Sequence, residues 1–443
     1  MINRDKIVKT VVDIGNGKIK AIIGELSNNG EILKVLKYSE KPSLGILKNE
    51  IVDGEELSKS IDFVLEELRE ETEQEIDSIT VGMGGEKIKS RTINVEISFP
   101  EEEVNEEHIK TLIKNAEEKV LSEEEQILKT EIYNVRIDNS GIVKNPLGIL
   151  GSKLQADVHL LFTAKKRVEK LVETVNRIGV DVENIILNAY ASAKSTLEEE
   201  DRRMGVALMD IGEGSTDIIL YKNDKIIYAE TIPLGGMHFK SDLVYILKLS
   251  DENDAIDILN KYRNRDISQD GYIYYGEGKH ISAIELEDFI NARVEEMIDY
   301  IDSTIEKSGF TGYLGKGLVL TGGVISDKII NTDKILEKIN KKTGYVARKV
   351  LPSTFSGLET VNTSMATVIG LFYEVMEEED RKLRTGSYTH QEIQLKNEKI
   401  EQHSKQEEDE LNNLLDEDLE ENKEEKKENK VVKAIKNWFS NFI

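Results

Sequence analysis

The chain has 443 residues, a formal net charge of −26 and no cysteine. Its length allows two or more domains, and the lack of thiols excludes disulfides, thiolate metal sites and a cysteine nucleophile. The charge argues against a nucleic-acid-binding surface. No apolar run approaches the ~20 residues of a membrane span, and no signal-peptide core is present, so we expect a cytoplasmic protein.

The N-terminal segment predicts a β-hairpin with a glycine-rich turn. Val8–Ile14 is an apolar run that reaches Asp13, and Ile19–Glu25 leads away after a turn that carries Gly15 and Gly17. Glycines lack a Cβ, so such a turn can bring its backbone N–H groups close to a phosphate. An aspartate at a strand end can also hold a hydrated Mg²⁺.

The next elements predict an α/β half-domain. We expect a third strand over Glu31–Tyr38 and a buried strand over Ile76–Val81. Between them, Glu55–Glu73 has the apolar spacing of an amphipathic helix, with Asp53 as its N-cap. Strands that alternate with a helix in this way are typical of an α/β arrangement.

The segment 86–163 has a different character. Apolar alternation predicts strands over Ile88–Phe99, Glu131–Ile137 and Leu154–Phe162, and Glu106–Val120 is spaced as an acidic amphipathic helix. The segment lacks a pattern of catalytic residue types. We therefore expect a small inserted α+β subdomain that serves as a binding surface.

The chain then repeats its first motif. Val206–Leu220 contains an apolar run that reaches Asp210, followed by a turn with Gly212 and Gly214. The two D-I-G-x-G units begin 197 residues apart, which predicts two similar domains that face one ligand.

Two further glycine pairs follow predicted strands. Gly235 and Gly236 come after the strand Lys225–Ile232, and the strand Gly317–Leu320 opens into a T-G-G turn. Such turns allow a ligand to approach the N-terminus of a helix. The remaining elements that we expect are helices over Lys165–Ile178, Asn188–Leu197, Met237–Leu249, Asp254–Arg263, Leu286–Lys307 and Thr363–Met376, and short strands at Val182–Leu187 and Tyr272–Tyr275.

The C-terminal part predicts a linker and a terminal amphipathic helix. From Glu377 the composition becomes strongly acidic and poor in apolar residues, as in disordered segments. In Lys430–Ile443 the large apolar side chains fall on one helical face and the lysines on the other, which is typical of an in-plane membrane anchor. Docking on the chain's own globular part or on a partner is the alternative. The membrane-facing set is Val431, Val432, Ile435, Trp438, Phe439, Phe442 and Ile443, with Lys430, Lys433 and Lys436 at the lipid surface.

The paired hairpins and the late V-L-T-G-G turn resemble the actin, DnaK-chaperone and sugar-kinase ATPase superfamily. Within it, Leu44–Leu68, Lys144–Thr163 and the terminal amphipathic helix make the chain similar to the bacterial cell-division FtsA family. The resemblance implies an α/β actin-like ATPase fold, with two similar α/β domains around a nucleotide cleft, an inserted α+β subdomain and a disordered tail that ends in an amphipathic helix. The implied division is 1–85 with 164–200 and 362–377 for the first half, 86–163 for the insertion, 201–236 with 313–361 for the second half, 237–312 for a subdomain that binds the FtsZ tail, 378–429 for the linker and 430–443 for the membrane helix.

The resemblance also implies a set of site residues. ATP would lie in the cleft, with Mg²⁺ held through water by Asp13 and Asp210. Lys279 and Arg293 would contact the FtsZ C-terminal tail, although an ion pair of Arg293 with Glu296 is a second interpretation. The implied nucleotide contacts are Asp13, Gly15, Asn16, Gly17, Lys18, Asp210, Gly212, Gly214, Ser215, Thr216, Gly235, Gly236, Gly322 and Gly323.

The implied partners follow from the same family. They are the FtsZ tail, further copies of the chain in actin-like filaments, later division proteins bound through 86–163, and the anionic inner face of the cell membrane at the division septum; nucleic acid is not among them.

The chain departs from the family pattern at three places. The second loop carries Glu213 where glycine is usual, which brings a side chain to a position where backbone should approach phosphate. The adenosine motif A-E-x-x-K has Ile256 and Leu259 in place of its glutamate and lysine. Asn188 could position water, but an amide is no general base. We therefore expect slow or absent turnover, with nucleotide as an assembly ligand.

Two other functions fit parts of the pattern. A PilM-like pilus-assembly actin homologue would share the hairpins and the inserted subdomain but not the terminal helix. A sugar-kinase-like or acetate-kinase-like phosphotransferase would need a catalytic aspartate aimed at an acceptor hydroxyl, for which the sequence has no evident candidate.

Overall fold

The computed structural model describes residues 6–27, 33–85, 87–276 and 278–385. The first part of the chain forms β1 (Lys6–Ile14), β2 (Lys18–Ser27), β3 (Leu33–Pro42), β4 (Ile46–Leu47), β5 (Glu50–Ile51), α1 (Gly54–Thr72) and β6 (Ser78–Met83). The insertion forms β7 (Lys89–Glu103), α2 (Glu106–Val120), β8 (Glu125–Ile137) and β9 (Leu150–Ala164). The chain then returns to the first lobe with α3 (Lys165–Asn176), β10 (Asp181–Leu187), α4 (Asn188–Thr196) and α5 (Glu199–Met204).

The second lobe begins directly afterwards. Its first elements are β11 (Val206–Ile211), β12 (Thr216–Lys222), β13 (Lys225–Ile232), α6 (Met237–Ile246), α7 (Glu252–Arg263), β14 (Tyr272–Tyr275), β15 (Lys279–Ser282) and α8 (Ala283–Ser308). The remaining elements are β16 (Leu318–Thr321), α9 (Gly323–Ser326), α10 (Thr332–Thr343), β17 (Ala347–Lys349) and α11 (Ala366–Thr385).

The two lobes are built on sheets of the same topology. The first sheet has the order β3-β2-β1-β6-β10 and the second has the order β13-β12-β11-β16-β17. In both, an antiparallel meander of three strands continues into two parallel strands. The repeated domains that the two D-I-G-x-G units predict are therefore present.

Strand pairing places both motif aspartates near the carboxyl ends of parallel strands. Asp13 lies beside Gly82 of β6, and Asp210 lies beside Thr321 of β16. In open α/β sheets ligands bind outside this edge. Each hairpin therefore presents its aspartate and its glycine-rich turn to the same side of its sheet.

Helix α1 shows why the local sequence folds as expected. The Asp53 carboxylate accepts hydrogen bonds from the N–H groups of Glu55 (2.9 Å) and Glu56 (3.1 Å), so the predicted N-cap is confirmed. The apolar face of the helix is fully buried and consists of Leu57, Ile61, Val64, Leu65 and Leu68.

The insertion is a separate three-stranded sheet with the order β7-β9-β8, covered by α2. β7 continues past the predicted end at Phe99 and includes Pro100. A register shift between Ser98 and Glu102 accommodates the proline, which has no N–H to donate to the neighbouring strand. The inserted α+β subdomain expected from the sequence is thus present.

The last helix extends further than the sequence predicts. We expected a helix to Met376 and a disordered linker from 378, but α11 continues to Thr385, so the expected start of the linker is wrong. Lys194 binds Glu374 and Glu377, and Lys9 lies 3.5 Å from the buried Glu379, so ion pairs to the first lobe hold the acidic turns. The rest of the linker and the predicted membrane helix at 430–443 lie outside the described residues. Within the described ranges, no helix has the length and apolar character needed to cross a membrane.

Candidate functional site: a cleft between two glycine-rich loops

A cleft of ≈ 670 Å³ lies between the two lobes, and both hairpin turns contribute to its wall. It brings together twelve of the predicted residues. These are Asp13, Gly15, Asn16, Gly17, Lys18, Asn188, Asp210, Gly212, Gly214, Ser215, Gly236 and Gly323.

Three predicted residues are not on the wall of the cleft. The Thr216 hydroxyl is buried and donates to the Leu234 carbonyl oxygen at 2.8 Å. Gly235 packs on the second loop, where a Cβ would lie 2.5 Å from the Gly212 carbonyl oxygen. Gly322 has φ +100° and packs on the backbone of Ile211. These residues shape the second loop from behind.

Three aspartates lie together in the cleft. Asp13 and Asp210 are the predicted pair, and Asp217 joins them from β12. Asp217 was not predicted, although its place seven residues after Asp210 on the same hairpin was a usable signal. Burial raises the pKa of Asp13 and of Asp210, and it raises the pKa of Asp217 to about 7 with help from the other two carboxylates.

Few groups offset this negative charge. Lys20 lies 3.4 Å from the Asp13 carboxylate, whereas the predicted Lys18 binds Glu40 at the edge of the cleft. The Asp210 carboxylate accepts hydrogen bonds from Ser192 and Thr367. The surplus of carboxylates fits a hydrated Mg²⁺, which needs only one or two of them. Among the described residues no group of three or more histidine, cysteine, aspartate or glutamate side chains is arranged to hold a metal ion.

Asn188 begins α4 at the floor of the cleft, where Gly82 and Gly84 approach its amide. Its Oδ1 is buried and has no hydrogen-bond partner among the described residues. An unpaired buried polar atom of this kind costs about 1–3 kcal/mol. Because the Oδ1 atom packs against Gly82, the water-holding role of Asn188 stays a prediction.

The tips of the two loops touch each other across the cleft in a reciprocal way. Asn16 of the first loop packs on Gly214 of the second, where a Cβ would lie 2.5 Å from the Asn16 Cγ. Glu213 of the second loop packs on Gly17 of the first, where a Cβ would lie 3.3 Å from the Glu213 Cβ. Neither glycine has a left-handed φ, so space rather than backbone conformation excludes a side chain there.

Asn49 also joins the two loops, and the sequence analysis missed it. It lies in the tight turn between β4 and β5, where Lys48 and Asn49 both have positive φ, as in a type I′ hairpin. Its N–H donates to Asn16 Oδ1 at 2.9 Å, and its Nδ2 donates to Ser215 Oγ at 2.6 Å. The amide thus bridges the two lobes.

The wall of the cleft also includes the apolar side chains of Ile256 and Leu259, which stand where the A-E-x-x-K pattern would have its glutamate and lysine. Charged side chains line the cleft as well. Arg263 forms a fork with Asp327, with Nε–Oδ1 and Nη2–Oδ2 distances of 2.7 and 2.8 Å, so these two charges are already paired with each other.

The two predicted partner contacts are not part of the cleft wall. Lys279 is exposed on β15. Arg293 on α8 donates from Nε to Asp242 Oδ2 at 2.7 Å and also binds Glu296. Its ion pair with Glu296 is present, and a peptide carboxylate would have to compete with both acidic residues for the guanidinium group.

Comparison with solved structures gives the class of protein. The chain is similar to the PilM-PilN type IV pilus biogenesis complex, with a TM-score of 0.58 and 13% identity over 84% of this chain and 99% of that one. It is also similar to MreB 5 of Spiroplasma citri bound to AMPPNP, with a TM-score of 0.50 and 11% identity over 87% and 99% of the two chains. At such identities the likeness shows the fold alone: this is a protein of the actin-like ATPase fold.

Comparison of sequences gives the family. Residues 85–162 match the model of the SHS2 domain inserted in FtsA, and residues 207–269 match the model of the cell division protein FtsA. The FtsA of Pseudomonas aeruginosa is 28% identical over 83% of this chain and 89% of its own length, and that of Borreliella burgdorferi is 28% identical over 84% and 92%. The FtsA of Escherichia coli K12 is 26% identical over 72% and 79%. Over most of its length the chain is therefore similar to FtsA cell-division proteins, and both family models that match it are FtsA models.

The loop contact predicts a specific cost for one methyl group. Gly214→Ala should lower the free energy of unfolding by about 1–3 kcal/mol, because its Cβ would overlap Asn16. In a chain that already carries Asn16→Ala, the opposing side chain is short. Adding Gly214→Ala to that chain should therefore lower the free energy of unfolding much less than it does in wild type. Urea unfolding of the four proteins in this cycle measures the coupling.

Gly141→Ala is the matched control, because nothing lies within 4 Å of a Cβ there and its φ is not left-handed. If Gly214→Ala lowers the free energy of unfolding equally in wild type and in Asn16→Ala, the contact is contradicted.

Asp217 predicts a pH dependence of stability. The folded chain keeps this proton up to a pKa of about 7, whereas the unfolded chain releases it near the ordinary value of about 3.9. In that window the folded state binds more protons, so its free energy of unfolding falls as the pH rises. Asp217→Asn should remove this contribution to the pH dependence. The free energy of unfolding of the variant, relative to that of wild type, should therefore increase from pH 5 to pH 8.

Urea unfolding at several pH values measures the difference, and Glu118→Gln, at an exposed carboxylate of α2, is the control. Parallel pH profiles for wild type and Asp217→Asn would show that Asp217 does not carry the effect.

Proposed function

We propose that the chain is a nucleotide-binding actin homologue of the bacterial division machinery. It binds ATP with Mg²⁺ between its lobes, assembles with further copies of itself on the inner face of the cell membrane, and tethers FtsZ there. The observation that supports this most is the cleft, where two equivalent loops bring Asp13 and Asp210 to one wall. The similarity to FtsA proteins supports the division role.

The residues of the cleft suit a nucleotide in most respects. The glycines of both loops offer backbone that can approach phosphate, and Asp13 and Asp210 would hold a hydrated Mg²⁺. The bound cation would offset charge that the buried aspartates now share. The apolar side chains of Ile256 and Leu259 would contact the base.

The same residues support slow turnover. Asn188 carries an amide, which takes up no proton and therefore cannot act as a general base for attacking water. The nucleotide then acts mainly as a ligand that holds the lobes together for assembly.

Membrane attachment is assigned to Lys430–Ile443, whose apolar face and lysines suit an anionic surface. The chain without these residues should fail to co-sediment with liposomes that contain anionic phosphatidylglycerol, whereas the full chain should pellet with them. Since lysines contribute through charge, pelleting of the full chain should weaken at high salt.

A deletion of equal length within the acidic linker, at 408–421, is the control and should leave lipid binding intact. Unchanged lipid binding after the loss of Lys430–Ile443 would refute the assignment of the anchor.

FtsZ binding is assigned to the subdomain 237–312. Lys279→Glu reverses an exposed charge and should weaken capture of an FtsZ C-terminal peptide by roughly tenfold in fluorescence anisotropy. Lys279 tests the surface more cleanly than Arg293, because Arg293→Glu would add a third carboxylate beside Asp242 and Glu296.

Lys114→Glu, on the exposed face of α2, is the matched charge reversal outside this subdomain and should bind like wild type. If the wild-type chain captures no FtsZ peptide at all, the tethering function is wrong.

A further inference from the structure

The side chain of Glu213 lies within the cleft, in the gap between the two lobes. Its Cβ and Cγ are each 3.3 Å from the place that a Cβ on Gly17 would occupy. Its Oε2 is 2.6 Å from the corresponding place on Gly236. The glutamate therefore fills space that both glycines leave open, and it does so on the wall where phosphate would approach backbone.

The carboxylate of Glu213 binds a cation that also faces the cleft. Lys240, on the first turns of α6, lies 3.1 Å from Glu213 Oε1 and lines the same cavity. Both side chains remain about one-third exposed, at 30% for the lysine and 37% for the glutamate. Water therefore screens the pair, and a ligand with more charge can separate it.

The surroundings of Glu213 already hold an excess of negative charge. Asp13, Asp210 and Asp217 share the cleft, and mutual repulsion contributes to the raised pKa of Asp210 and of Asp217. Glu213 adds a fourth carboxylate to this wall. An anionic phosphate chain that enters must therefore compete with a carboxylate for space and for Lys240.

We propose that Glu213 is an internal competitor for the phosphate groups of the nucleotide. Its carboxylate occupies the gap between Gly17 and Gly236 and holds Lys240, and a phosphate that binds there displaces it and takes over the lysine. The inference rests on the proposed binding of nucleotide and assigns the control of affinity at that site to one residue pair.

The competition predicts opposite effects for the two partners. Glu213→Gln keeps the shape of the side chain and removes its charge, so the Kd for ATP with Mg²⁺ should fall roughly tenfold. Lys240→Met keeps the apolar stem and removes the ammonium group, so the Kd should rise by a similar factor. Adenosine carries no phosphate, and its weaker binding should be the same in all three proteins.

Isothermal titration calorimetry on the full chain measures these constants. Glu295→Gln is the matched control, because Glu295 on α8 forms a 2.8 Å ion pair with Lys338 on the same lobe. It should bind ATP like wild type. Thermal unfolding of each variant without ligand establishes that the folded chain is being compared.

The ATP affinities of the two variants distinguish competition for phosphate from a purely structural role of the Glu213–Lys240 pair. Tighter binding by Glu213→Gln together with weaker binding by Lys240→Met supports the competition. If both variants bind more weakly, the pair only holds the loops in place and the proposal is overturned. If wild type and Glu213→Gln bind ATP with the same Kd, the proposal is also overturned, although nucleotide binding itself is then supported. If none of the proteins binds ATP or adenosine, the proposed nucleotide site is wrong and this inference is lost with it.

Discussion

The two glycine-rich loops form a reciprocal contact, in which the residue between the two glycines of each loop packs on the last glycine of the other: Asn16 on Gly214, and Glu213 on Gly17. Such a contact needs two similar hairpins that face each other. The matching topologies of the two five-stranded sheets provide this arrangement. The rest of the first lobe supports it, since the turn at Asn49 adds a hydrogen-bonded bridge from Asn16 to Ser215.

The two hairpins also bring their aspartates together in the cleft. Buried carboxylates at close range repel each other, and their pKa values rise. Lys20, Ser192 and Thr367 offset part of this charge, and each comes from a different element of the fold. The cleft thus contains a cluster of buried carboxylates, to which Glu213 adds a further one that is paired with Lys240.

Prediction from sequence succeeded where a local pattern decides the outcome. Helix α2 has the predicted bounds of Glu106–Val120, because its apolar spacing and its flanking residues specify both ends. Helix α10 was not predicted from the sequence. Its buried residues are only Ile335 and Ile339, and ion pairs of Lys334 and Lys338 to the neighbouring α8 support it. The acidic turns at the end of α11 were missed for a similar reason, because the lysines that bind them lie far away in the sequence.

The sequence by itself determined the two aspartates at strand ends and the glycine-rich turns, since each of these motifs depends on neighbouring residues in the chain. It also indicated the repeat, the inserted subdomain and the family. The tertiary structure alone decided which side chain meets which glycine, that Asn49 joins the cleft, and that Arg293 is bound by Asp242. These contacts join residues far apart in the chain, and their geometry follows from how distant elements pack rather than from any local pattern.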